Sequence, residues 1–152
     1  MPIISSELVS STWQTVGASS GAQVRGLQAR HNKTQRALGL FVYDEFLSYR
    51  EEAAGVGIYV YHVVLEMFMQ ARPRLKRVRR AQLEQVLADL SAAGENAPAN
   101  AIAQSPEPHA LRYVHEALYQ YQGDVALSED EGERIFRFMQ AVIIALHDAS
   151  SK

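Results

Sequence analysis

Cysteine is absent from all 152 residues. That excludes disulfide frameworks, Cys-ligated zinc, iron–sulfur clusters and thiol nucleophiles. Glycine and proline are sparse, at nine and five residues, which rules out collagen-like and low-complexity chains. No apolar run of membrane-spanning length is free of polar side chains. The most apolar stretch, Ala53 to Ala71, contains His62, Glu66 and Gln70, and a carboxylate inside a bilayer is costly. It reads as a buried helix, and no membrane partner is expected. The first seven residues lack a basic stretch followed by an apolar one, so the expectation is no secretory signal and a cytoplasmic location. Gly-x-Ser-x-Gly, the Walker loop, the Rossmann glycine pattern and His-Glu-x-x-His are all missing. These absences lean away from an enzyme, and no cofactor is expected.

What is present is the composition of a globular chain, 47% hydrophobic and 21% charged. A chain of this length buries about 68–70% of its unfolded surface and can stand on its own core. A single domain over 1–152 is expected. The periodicity is helical nearly throughout. A short helix over about 7–16 carries Leu8, Val9, Trp13 and Val16 and ends at Gly17. From Ala22 to Tyr49 the apolar stripe is interrupted by the polar run Gln28 to Gln35. This predicts one long helix with a solvated middle, in preference to two helices broken near Asn32-Lys33.

Residues 56–61 are rich in β-branched and aromatic side chains, as a strand would be. No turn residue follows for a dozen positions, which is too long for a strand. Val56, Val60, Val64 and Phe68 share a helical face, so Glu51 to Ala71 is read as a central, nearly all-apolar helix. Pro73 stops it. A further helix runs from Ala81 to Ala93 before Gly94, and the Ala/Asn/Pro-rich stretch of about 95–105 reads as a loop.

An antiparallel helix pair is predicted over about 107–149. Its first member carries Leu111, Val114, Leu118 and Tyr121 and ends at Gly123-Asp124. Its second opens with the capping box Ser128 to Glu131 and carries Ile135, Phe138, Met139, Val142 and Leu146. The expected fold is all-α, an irregular bundle of five or six helices.

Three features can carry chemistry. The first is the segment Arg72, Arg74, Lys76, Arg77, Arg79 and Arg80, six of the chain's 15 Lys and Arg within nine positions. The chain is polarised around it. Residues 1–80 hold 11 Lys/Arg against 6 Asp/Glu, and residues 81–152 hold 4 against 11. Such a cluster suits phosphate, single-stranded nucleic acid or an acidic protein partner. The favoured reading is internal pairing, with Glu129, Asp130, Glu131 and Glu133 as one source of counter-charge. With a pI near 6.2 and no nucleic-acid-binding motif, nucleic acid is the less favoured partner.

The second feature is His62 and Glu66, spaced i, i+4 on one helix, with His115 on another. Imidazole and carboxylate from facing helices can ligate a metal, although satisfied histidines at a core boundary are the commoner outcome. The third is a surplus of Tyr and Met, notably Tyr59, Tyr61, Met67, Met69, Tyr113 and Tyr119. Most of these should be core, and the excess points to self-association. Together these features favour a non-catalytic interaction domain that forms a homo-oligomer. Anion binding by the basic segment is the alternative, and a His/carboxylate metal enzyme comes third.

Overall fold

In a computed structural model the described residues are 2–120 and 126–150. They form eight helices: α1 (Ser6–Gly17), α2 (Gly21–Thr34), α3 (Arg36–Phe46), α4 (Glu51–Ala71), α5 (Arg80–Ala93), α6 (Pro98–Gln104), α7 (Pro108–Gln120) and α8 (Glu129–Ser150). The all-α class stands as expected. The count is higher than five or six, for two local reasons. Tyr121 and the expected Gly123-Asp124 terminator lie outside the described residues.

The first reason is a break at Gln35, where one long helix was predicted. Its backbone leaves helical space at φ −125°, ψ 58°. Its buried side chain reaches the segment before α5, donating from Nε2 to the Lys76 carbonyl at 2.8 Å and accepting the Val78 N–H at 2.9 Å. Two tertiary hydrogen bonds thus replace helix continuity. The second reason is α6, which occupies most of the predicted loop. Pro98 stands in its first turn, where proline suits a helix, and Ala101 and Ile102 are buried against the core. Tertiary burial there outweighs the weak helical signal of an Ala/Asn stretch.

Helix α4 is the centre. It contacts α1, α2, α3, α7 and α8. Val60, Val63, Val64, Leu65, Met67 and Phe68 are almost wholly buried. It is long and apolar enough to cross a membrane by length and composition, but here its apolar face is covered by other helices. Gly57 permits the closest approach: a Cβ there would lie 2.4 Å from Cζ of Phe46 on α3. Tyr61, Met67, Tyr113 and Met69 are fully or partly buried, so most of the aromatic and sulfur surplus is core.

Helix α8 begins as its sequence predicts. Ser128 Oγ accepts the Glu131 N–H at 3.0 Å and Glu131 Oε1 accepts the Ser128 N–H at 2.8 Å. It runs antiparallel to α7. Tyr119 lies beside Gly132, His115 packs on Phe136, and Glu107 reaches His147.

Candidate functional site

A buried polar chain joins α2, α3 and α4. His31 is fully buried and His62 nearly so. Their Nδ1 atoms are 2.9 Å apart, with the rings stacked at 19°. The other end of His31, Nε2, lies 2.9 Å from Glu66 Oε1, and the other end of His62, Nε2, lies 2.8 Å from the Tyr43 hydroxyl. Glu66 also accepts from Arg30 at 3.1 Å and from Gln70 at 2.9 Å.

Electrostatics fix the direction of every bond. Burial raises the Glu66 carboxyl, but hydrogen bonds from Gln70, His31 and Arg30 outweigh it and hold the group below its usual range. Glu66 is therefore an ionised acceptor. Burial pushes His31 down against the upward pull of Glu66. Burial, and the repulsion two protonated rings would exert on each other, push His62 down to about 3. Both rings are neutral at pH 7. Since Glu66 only accepts, His31 carries its proton on Nε2 and accepts at Nδ1. His62 then donates from Nδ1 and accepts at Nε2 from the Tyr43 O–H. All three bonds run one way, from Tyr43 to Glu66.

Each ring nitrogen in this chain is satisfied, so the network binds three helices without leaving an orphaned polar atom of its own. It sits beside Tyr61, whose buried hydroxyl finds no partner among the described residues. Two surface hollows, of about 400 Å³ between α5 and α8 and about 180 Å³ between α1 and α7, lie elsewhere and do not border Tyr43. The arrangement works as a structural clasp.

The three expected metal ligands are not brought together as a set. His62 and Glu66 are linked through His31, while the His115 ring packs against Tyr119 and Phe136. Among the described residues no three His, Asp or Glu are grouped so as to hold a metal ion. His31 was the residue the sequence reading missed. It lies in the polar run whose composition predicts a solvated stretch, yet Val24, Leu27, His31 and Gln35 recur at spacings of three and four. The inward face of α2, half-buried at Val24 and Leu27, continues through the buried His31 to Gln35 just past the helix end.

Among the described residues the basic segment is only partly neutralised. Arg72 is its one deeply engaged cation: Nη2 bonds Glu107 Oε2 at 3.0 Å and the Pro2 carbonyl at 2.8 Å. Glu107 is fully buried and also accepts the Ile4 N–H at 2.8 Å and His147 Nδ1 at 2.9 Å. Arg80 stands over the Phe41 ring at 5.0 Å and 3.8 Å from Glu84. Arg74, Lys76, Arg77 and Arg79 are exposed, and among the described residues no carboxylate pairs with them.

Pairing with the acidic start of α8 is not what the structure shows. Glu131 is taken by Arg50, at 2.9 and 3.1 Å, which with the Ser128 amide holds the carboxyl down at about 2. The capping geometry turns Glu131 toward the α4 N-terminus, so this one of the four expected acids goes to Arg50, while Glu129, Asp130 and Glu133 are exposed and, among the described residues, in no ion pair.

A last feature is the outer face of α3. Leu40 is 62% exposed and Leu47, just past its end, 80%. Arg36 and Asp44 lie four residues to either side of Leu40, both exposed and, among the described residues, in no ion pair.

Comparison with protein-family models, with curated proteins and with solved structures returns no match.

Proposed function

We propose that this chain is a non-catalytic helical interaction domain that pairs with a second copy of itself through α3. The observation that carries this reading is the exposure of Leu40 and Leu47, seven residues apart and so on one helical face. Charge placement selects the partner. In a two-fold antiparallel crossing centred on Leu40, the two Leu40 side chains meet, each Arg36 stands opposite the other copy's Asp44, and Leu47 lies toward the edge of the contact. Such an interface is isologous and self-complementary. The face is short: α3 has 11 residues and is about 16 Å long. It falls short of the roughly 1,200 Å² of a stable standard interface, so the dimer belongs in the weak, micromolar class.

Sedimentation from about 10 µM to about 500 µM tests this. A mass that rises with concentration, and becomes monomeric in Leu40→Glu, is expected. An Arg36→Asp exchange should weaken pairing, and Arg36→Asp with Asp44→Arg should restore it. A monomer throughout would sink the reading.

A second reading, anion binding by the basic segment, is supported by the four cations that pair with no carboxylate among the described residues.

A further inference from the structure

We propose that Arg74, Lys76, Arg77 and Arg79 form a docking strip for a short, extended, Asp/Glu-rich segment of another protein. Their density is the first ground. Four like charges over six residues repel one another, and among the described residues no acid offsets them. Their rigidity is the second. Gln35 grips the backbone at Lys76 and Val78, the Lys76 N–H reaches the Ala149 carbonyl at 3.2 Å, and Val78 is buried. The cations therefore stand on a fixed backbone, which lowers the ordering cost of binding. A free, solvated charge run needs no such clamp.

The third ground is spacing. Arg77 and Arg79 flank the buried Val78 on non-helical backbone, so their Cα atoms are at most about 6.6–7.2 Å apart, while Arg74 stands in the turn at 73–74. Alternate carboxylates of an extended peptide repeat at nearly the same distance. Arg side chains then suit carboxylates well, through two parallel hydrogen bonds.

Two observations favour an acidic peptide over nucleic acid. Single-strand binders place aromatic rings beside their cations as stacking platforms. Among the described residues the exposed aromatics Trp13, Tyr59 and Tyr119 sit on α1, α4 and α7, and Phe41 is covered by Arg80. Beyond the strip, residues 81–152 carry 11 acids against 4 bases. That negative balance disfavours a polyanion longer than the strip, whereas a short acidic segment is matched to the strip's own length.

The test uses the full chain and a fluorescent ten-residue peptide of alternating Glu and Ser, read by anisotropy, with a ten-nucleotide oligouridine as the competing probe. Three proteins are compared: the parent chain, R74Q/K76Q/R77Q/R79Q, and R25Q/K33Q as a control on exposed cations of α2. The four-residue variant should lose at least about tenfold in peptide affinity, about 1.4 kcal/mol. Its dependence on salt should become shallower. The control should stay within about twofold of the parent, since it leaves the strip intact. Equal binding by parent and four-residue variant would overturn the proposal. So would tighter binding of oligouridine than of the peptide through the same four residues, which would assign the strip to nucleic acid. The four side chains have no described partners, so the variant is expected to fold; an unchanged far-UV spectrum checks this.

Discussion

Two carboxylates, Glu66 and Glu107, organise opposite parts of the bundle, and they do so with different partners. Glu107 is fully buried and held by a permanent cation, Arg72, together with the Ile4 amide and His147. It ties the N-terminus and the basic segment to both members of the α7–α8 pair. Glu66 keeps 14% side-chain exposure and is held by a histidine that is itself neutral and buried, plus Gln70 and an Arg30 that is half in water. The first hub is an ion pair removed from solvent. The second is the wet end of a neutral hydrogen-bond chain. Removing a partner is therefore costly in the first, while acidification is the more telling perturbation of the second.

The largest effect expected is Glu107→Gln. It leaves Arg72, only 10% exposed in its side chain, without its counter-charge. Breaking a buried pair from one side typically costs about 3–5 kcal/mol. Glu66→Gln keeps an acceptor for His31 and faces water, so about 1–1.5 kcal/mol is expected. Urea unfolding of both variants measures the difference. Equal losses would erase the distinction between the hubs.

Acid comes next. The unfolded histidines protonate near pH 6.5, while His31 and His62 in the fold are depressed, His62 to about 3. Below pH 6.5 the unfolded state binds more protons, so their contribution is fully present above that pH and is lost as pH falls toward 3. Each imidazole that stays neutral removes about 1.4 kcal/mol per pH unit. Glu66, also depressed, adds loss below its unfolded value of 4.5, in the same direction. Stability measured at pH 7 and pH 5 should fall steeply in the parent chain. His62→Leu, although less stable at pH 7, should fall less. A parallel decline in both would show that the histidine pair does not carry the acid response.

A finer probe separates two tyrosines that both touch His62. Tyr43 donates to it, whereas the Tyr61 hydroxyl is buried without a partner among the described residues. Tyr43→Phe leaves His62 Nε2 unsatisfied and should cost about 1–3 kcal/mol. Tyr61→Phe deletes an orphaned hydroxyl and should be neutral or stabilising, because no hydrogen bond is lost. The reverse order would mean that Tyr61, and not Tyr43, is the tyrosine whose hydroxyl the histidine pair depends on.

Much of the bundle was legible because apolar spacing and caps act locally. The α8 capping box, the α4 span, and the burial of Val60, Val64 and Phe68 follow from neighbours within a few residues. What was hidden depends on distant partners. Nothing within ten residues of Gln35 announces that its amide will bond Lys76 and Val78 and so divide α2 from α3. His62 and Glu66 were visible as an i, i+4 pair, but the ring that joins them comes from 31 positions upstream. Periodicity reports which face is buried; it does not report that a polar residue on that face has found a partner.

The smallest expected effect concerns the charges that belong to neither hub. Internal pairing of the basic segment, read from sequence, implies that neutralising it lowers stability at low salt. The structure engages Arg72 and Arg80 and leaves Arg74, Lys76, Arg77 and Arg79 exposed without a carboxylate among the described residues. Replacing those four by glutamine then removes mutual repulsion, and at Arg79 also a positive charge at the N-terminus of α5, where the helix dipole disfavours it. The melting temperature at low ionic strength should match the parent's or rise slightly. Added salt should shrink the difference, since exposed charges are screened over about 8–10 Å. Extending the substitution to Arg72 should reverse the sign, because that cation belongs to the Glu107 hub. If the four-residue variant is less stable than the parent at low salt, these cations have counter-charges within the chain, and the boundary drawn between strip and hub is misplaced.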